Sequence, residues 1–270
     1  DLRLSRGLGD VYKRQVIDSS NTSTRDTDVD IETLTVTAVR LGSSEGSGTA
    51  GSVGSALTGT YGQLTLNSNG SYTYVANQTA ADNLDAGDVV TDTFNYTVSD
   101  GTATDIAVIT ITVIGINDTP VAQNDVGVIT EDSTLTVTNG TNANESGGSY
   151  NATGEHSGDV INTSSGSHQD SDADASASLT VTQIKKNGGS NSSVSSGSSY
   201  NSSGTSVTGT YGTLTIGADG SYTYAATADA ADGIASGETA DDVFVYTLSD
   251  GTESTTANIC LLYTSPSPRD

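Results

Sequence analysis

The chain has 270 residues, with 33 acidic side chains against nine basic ones and a formal net charge of −24. Charge of that sign and size repels nucleic acid and anionic membrane, so neither is expected as a partner. No apolar run reaches the length of a membrane span, because the longest, Ile106–Ile116, is broken by Thr110, Thr112 and Gly115.

Residues 1–15 differ in composition from the interior of the chain. Together with residues 260–270 they hold Arg3, Arg6, Lys13, Arg14 and Arg269, five of the nine basic residues, and the only cysteine, Cys260. Back-translation of Cys260–Asp270 (CLLYTSPSPRD) gives DNA whose reverse complement, read in a shifted frame, encodes Ser5–Gln15 (SRGLGDVYKRQ). Complementary DNA at both ends of a reading frame resembles a sequencing adapter read through from both sides. Residues 1–15 and 260–270 are therefore expected to be adapter-derived scars, to be set aside in fold reasoning. Residues 16–259 are then a fragment open at both ends, whose basic residues are Arg25, Arg40, Lys185 and Lys186.

Beyond the first scar, Asp26-Thr-Asp-Val-Asp30 leads into Leu34, Val36 and Ala38, which alternate with threonines. Tyr72 and Tyr74 alternate with Ser71 and Thr73. Phe94, Tyr96 and Val98 come next, and then Ile109, Ile111 and Val113, spaced by Thr110 and Thr112. Apolar residues at period two predict half-buried antiparallel strands with a hydroxylated outer face. Asn67–Gly70 and Gly217–Gly220 each join two such runs, and a terminal glycine suits a hairpin residue of positive φ. Asp100-Gly101 and Asp250-Gly251 read as turns. Asp82, Asp92, Asp232 and Asp242 read as solvated loop residues ahead of the Phe/Tyr strand. No amphipathic helix of useful length is visible.

Residues 117–124 read as a linker stiffened by Pro120, separating a first module at 16–116 from a second at 125–259. Residues 139–169 and 187–207 are rich in Gly, Ser, Asn and Thr and read as long surface insertions that bury little. The modules are copies: residues 58–101 and 208–251 are identical at 24 of 44 positions without a gap. Upstream, Val16-Ile-Asp and Asp26–Asp30 match Val160-Ile-Asn and Asp170–Asp174. Short strands spaced by turns, in modules of this size, predict an all-β chain of tandem β-sandwiches. The first module is expected to lack the counterpart of Val121–Asp159, with its strand at Leu135–Val137. The second ends at Ile259, although Leu261 and Tyr263 fall where Ile111 and Val113 would.

Arrays display, space or bind, whereas chemistry usually needs one unrepeated site, so no enzyme is expected. His156 and His168 have no second histidine or cysteine at ligand spacing. No serine sits in a Gly-x-Ser-x-Gly elbow. The sharper signal is acidic. On an extended backbone Asp170, Asp172 and Asp174 point to one side, and their mutual repulsion is relieved by a hard cation bound through oxygen. Asp26, Asp28 and Asp30 repeat the pattern. The plainer alternative is a solvated acidic turn. Neither run is an EF-hand, since its sixth position is Ala175 or Ile31 rather than glycine, and its twelfth is Val181 or Thr37 rather than glutamate. Tyr61, Tyr72 and Tyr74, with Tyr211, Tyr222 and Tyr224, read as core and cross-strand packing, with a sugar-binding platform as the alternative.

The signature GTYGxLTLxxxGSYTY, then DxFxYTVSDG, an Ile/Val/Thr strand and GxNDxP resembles the VCBS-type repeat of large bacterial surface adhesins. The resemblance implies a cadherin-like or immunoglobulin-like module, extracellular or on the cell surface. It implies calcium as cofactor, with Asn117, Asp118, Asp170, Asp172 and Asp174 as the matching ligands and Glu131 as a weaker one. Here Ala175 stands where the family pattern has glycine. The implied role is a non-catalytic, calcium-stiffened spacer or adhesion array. Its partners would be neighbouring repeats of the same chain, with surface glycans or proteins beyond them. The alternative is a carbohydrate-binding accessory module of a secreted polysaccharide-active enzyme.

Overall fold

The computed structural model describes residues 2–5, 11–17, 26, 32–130, 133–140, 157–161, 168–235 and 237–264. They form two compact units, Asp1–Asn117 with Asp174–Ser176, and Asp118–Ala173 with Ala177–Asp270. Among the described residues no helix is long and apolar enough to cross a membrane.

The first unit runs through β1 (Leu2–Ser5), β2 (Val11–Gln15), β3 (Thr35–Leu41), β4 (Ala50–Gly51), β5 (Ala56–Thr58), β6 (Gln63–Leu66) and β7 (Ser71–Val75). A single helical turn, α1 (Thr79–Asp82), then leads into the long hairpin of β8 (Val89–Ser99) and β9 (Thr104–Ile114). One sheet has the order β1-β9-β8-β3-β4 and the other β2-β7-β6-β5.

The second unit contains β10 (Asp125–Thr130), β11 (Thr134–Val137), β12 (Thr180–Lys186), β13 (Ser192–Ser193) and β14 (Thr205–Thr208). It continues with β15 (Thr213–Ile216), β16 (Tyr222–Ala225), β17 (Thr239–Ser249) and β18 (Ser254–Thr264). Its sheets, β10-β18-β17-β12-β13 and β11-β16-β15-β14, reproduce those of the first unit strand for strand. Even the bulge recurs, between Val36 and Ala38 in β3 and between Val181 and Gln183 in β12.

Period two accounts for most of this. In β7, Tyr72 and Tyr74 are buried between half-buried serine, threonine and valine, and in β6 Leu64 and Leu66 face the same core. Phe94, Tyr96 and Val98 meet them from the other sheet, and the second unit repeats the set with Tyr222, Tyr224, Phe244, Tyr246 and Leu248. Fully burying an aliphatic or aromatic side chain of this size contributes about 1.5–3 kcal/mol, so the facing rows rather than the turns hold each sandwich together. The bulge corrects one expectation: the extra residue moves the inward side chain from Ala38 to Val39. Gly70 and Gly220 adopt positive φ, as their hairpin positions require.

Three further expectations change. The edges of the first unit are occupied, because β1 pairs in parallel with β9 as β10 does with β18, and β2 pairs with β7 as β11 does with β16. An open sheet edge offers main-chain groups that accept any extended segment, whatever its side chains. At the other end β18 continues to Thr264, with Leu261 and Tyr263 fully buried. The insertions are also less peripheral than their composition suggests. Val160 and Ile161 enter the second core, and Val160 N–H bonds Gly220 O as Val16 N–H bonds Gly70 O. Residues 187–207 supply β13, part of β14 and the buried Val194 and Ser198.

Candidate functional site

Asp92 and Asp242 do not lie in solvated loops. They lie in β8 and β17, 3% and 2% exposed, on the inward parity shared with Phe94 and Phe244. Asp92 accepts hydrogen bonds from the N–H groups of Thr60, Tyr61 and Gly62 and, at 2.6 Å, from the Tyr74 hydroxyl. Asp242 likewise accepts from Thr210 and Tyr211 N–H and, at 2.6 Å, from the Tyr224 hydroxyl. A buried carboxylate survives when such donors replace its hydration. In Asp242 burial works against the charge, but the Tyr224 hydroxyl and the loop N–H groups outweigh it and hold the pKa below the usual range.

This explains the repeated Gly-Thr-Tyr-Gly. A Cβ on Gly62 would stand 2.3 Å from Val75 O and 2.5 Å from Tyr74 Cζ, and one on Gly212 would stand 2.3 Å from Ala225 O. Only glycine lets the loop close over the carboxylate. The arrangement is an anchor that ties each loop to the strand beneath it. The sequence signal for it was the parity of Asp92 with Phe94 and Tyr96, which their charge contrast concealed.

A second tyrosine–carboxylate pair also recurs. The Tyr96 hydroxyl donates to Asp26 Oδ2 at 2.7 Å. The Tyr246 hydroxyl lies 3.1 and 2.9 Å from Asp170 Oδ1 and Oδ2, 2.9 Å from Gln123 O and 3.3 Å from Val160 O. In the second unit more acid gathers around this pair. Asp125, fully buried at the start of β10, accepts from Ser157 Oγ at 2.9 Å through Oδ1. Its Oδ2 is buried with no hydrogen bond of ordinary geometry among the described residues, although Tyr246 stands near enough to favour the charged form. Asp159 is buried close by, held by Gly140 N–H and Ile161 N–H.

The electrostatics follow from this crowding. Burial, with the Asp159 charge adding to it, lifts Asp170 to about 6 against the pull of Gln123 N–H and Tyr246. Burial likewise raises Asp125 well above the carboxylate range, and the charges on Asp170 and Asp159 push the same way. The fully buried Tyr222 hydroxyl has no hydrogen-bond partner among the described residues, and burial and the charges of Asp125 and Asp159 raise its pKa.

Of the residues singled out in the sequence, Asp170 and Asp174 are buried and Asp172 half-buried, while Ser171 and Ala173 between them are exposed. Asn117 closes the main segment of the first unit, and Asp118 opens the second; both are half-buried. Asp26 faces Tyr96. Asp28, Asp30 and Glu131 lie outside the described residues, as does His156. Among the described residues no three acidic, histidine or cysteine side chains are placed to share a metal ion. What the sequence did not offer was Asp125 and Asp159, which no local pattern links to Asp170. The tyrosines at 72, 74, 222 and 224 are buried, as core packing predicts, and Tyr61 and Tyr211 are half-buried. Asp100 and Asp250 bind the N–H groups of their own turns.

Residues 7–115 match the model of the bacterial cadherin-like domain. No curated protein sequence matches the chain. Among solved structures, the extracellular domain of protocadherin gamma B4 aligns at 13% identity and a TM-score of 0.35, over 78% of this chain and 27% of that one. A fragment of a mouse clustered protocadherin aligns at 10% identity and a TM-score of 0.34, covering 98% and 64% of the two chains. An endo-fucoidan hydrolase from glycoside hydrolase family 107 aligns at 18% identity and a TM-score of 0.27, the chain spanning 28% of its length. Alignments at these TM-scores carry no weight for function. The chain is an all-β protein of two tandem sandwich units with the same strand order, and its residues 7–115 match the model of the bacterial cadherin-like domain.

Proposed function

We propose that the chain is a non-catalytic repeat segment of a large extracellular bacterial adhesin-like protein, acting as a calcium-stiffened spacer or adhesion array. The observation that carries this reading is repetition: both units build the same sheets and the same buried Tyr–Asp anchors, Tyr74–Asp92 and Tyr224–Asp242. A device present in every module serves the module itself, whereas a catalytic centre would single one out. The match to a bacterial cadherin-like domain supports the same class.

Calcium fits in kind, because the acidic segments offer oxygen alone and calcium takes six to eight oxygen ligands. In the second unit Asp118, Asp170 and Asp172 are the residues that would hold it. Bound calcium would supply positive charge to a strongly acidic protein whose own like charges oppose compaction. The burial of Tyr72, Tyr74, Tyr222 and Tyr224 leaves only the half-buried Tyr61 and Tyr211 for an aromatic platform, which weighs against the carbohydrate-binding alternative.

The test is thermal unfolding of the chain with and without 10 mM calcium. Extracellular calcium modules bind at roughly 10⁻⁴–10⁻³ M, which at that concentration adds about 1.4–2.7 kcal/mol per site. A rise of the midpoint, diminished in an Asp118→Asn/Asp172→Asn variant, is expected. The same midpoint in calcium and in sodium chloride of equal ionic strength would reduce the reading to a plain acidic spacer.

A further inference from the structure

We propose that the second unit carries a cation site of its own, in which the carboxylates of Asp125 and Asp170, the main-chain oxygens of Gln123 and Val160 and the Tyr246 hydroxyl hold one calcium ion. The inference rests on the calcium-dependent reading and places one ion in the floor of a module, on Asp170 with Asp125 rather than with Asp118 and Asp172.

The case is a count of protons against oxygens. Tyr246 has one hydroxyl proton and four acceptor oxygens within 3.3 Å: Gln123 O, Val160 O and both carboxylate oxygens of Asp170. Gln123 N–H, at 2.7 Å, is the other donor to Asp170 Oδ1. On the Asp125 side Ser157 satisfies Oδ1 and, among the described residues, leaves Oδ2 buried and unmatched. The Tyr222 hydroxyl, fully buried and without a hydrogen-bond partner among the described residues, stands near enough to feel the charges of Asp125 and Asp159 and is a second, independent polar group left over there. Tyr222 Oη is 3.5 Å from where a Gly127 Cβ would stand, and Gly127 shares the inward face of β10 with Asp125. The residual groups thus converge under the start of one strand.

A buried polar group left unmatched costs about 1–3 kcal/mol, and a charged one more. A single added proton would satisfy one oxygen and leave the rest competing for the Tyr246 hydroxyl. One hard cation satisfies several at once, and two carboxylates, two carbonyls and a hydroxyl are oxygen ligands of the kind calcium takes. Asp159 shapes the floor rather than joining the donor set, since Gly140 N–H and Ile161 N–H occupy its two oxygens. In the first unit the equivalent hydroxyl of Tyr96 donates to Asp26 at 2.7 Å.

The experiment is calorimetric titration of calcium chloride into the full chain at low ionic strength, comparing the wild type with Asp125→Asn, Asp172→Asn, Tyr246→Phe and the double variant Asp118→Asn/Asp172→Asn. Asp125→Asn should weaken one calcium site at least tenfold, and Tyr246→Phe should weaken the same site several-fold, while Asp172→Asn leaves it intact. Unchanged stoichiometry and affinity in Asp125→Asn overturns the site. Should Asp125→Asn fail to fold, unchanged affinity in Tyr246→Phe does so instead, because that variant keeps the ring in the core. Calcium bound by the wild type but lost only in Asp118→Asn/Asp172→Asn rejects this site and leaves the broader reading standing. No calcium binding by the wild type rejects both.

Discussion

In the first unit the Tyr96 hydroxyl donates to Asp26 Oδ2. In the second unit the equivalent hydroxyl of Tyr246 stands over Asp170, two main-chain oxygens and the flank of Asp125, with Asp159 close by. The sheets around these two floors are the same, strand for strand. In the second unit these neighbours come from β10 and from the segment before Val160. A repeated scaffold therefore fixes the tyrosine and its partner, and in the second unit Asp125 and Asp159 add charge beneath them.

The largest effect tests what the units share. Asp92→Ala or Asp242→Ala strands three or more donors around one buried site, and breaking such a network costs about 3–5 kcal/mol. Hydrogen exchange read separately for the two units should show the loss confined to the mutated one, and similar in size for both. A loss in one unit only would break the equivalence. Next in size are Gly62→Ala and Gly212→Ala, whose methyl groups would press on the Val75 and Ala225 carbonyls and cost about 1–3 kcal/mol by denaturant unfolding.

The remaining two sharpen the difference. In chelator, Asp170 titrates at about 6 in the folded second unit, above its unfolded value. A raised carboxyl pKa gives stability that is present at low pH and lost as pH rises through the folded value. The second unit should therefore gain about 1 kcal/mol between pH 7 and pH 5 from this group alone, with Asp125 acting in the same direction. Asp242 has the opposite sign, and its contribution is lost when the pH falls below the usual carboxylate range. Stability that only declines on acidification from neutral would contradict the crowded floor. Asp125→Asn in chelator at pH 8 should stabilise the second unit by about 1 kcal/mol, since it replaces a buried charge with a neutral group of the same shape. A loss there would mean that the charge is already balanced.

The strands, the hairpin glycines and the aromatic core were legible because period two and the repeat state them twice. Asp92 and Asp242 were not, because an acidic residue ahead of an aromatic strand looks solvated until its parity with Phe94 or Phe244 is traced inward. Val160 and Ile161 hid within a polar insertion, although their match to Val16 and Ile17 marked them. The Asp125–Asp170 floor had no local signature at all. Its members are far apart in sequence, and only the fold brings them near one tyrosine.

Hydrogen exchange of the whole chain with and without calcium tests the central claim most directly. A calcium-dependent module with its ion in the floor predicts that the amides of Gln123, Ser157 and Val160 slow markedly in calcium while those of Thr60 and Thr210 in the anchors do not. Protection unchanged at Gln123, Ser157 and Val160, or rising equally in the two anchors, would contradict it.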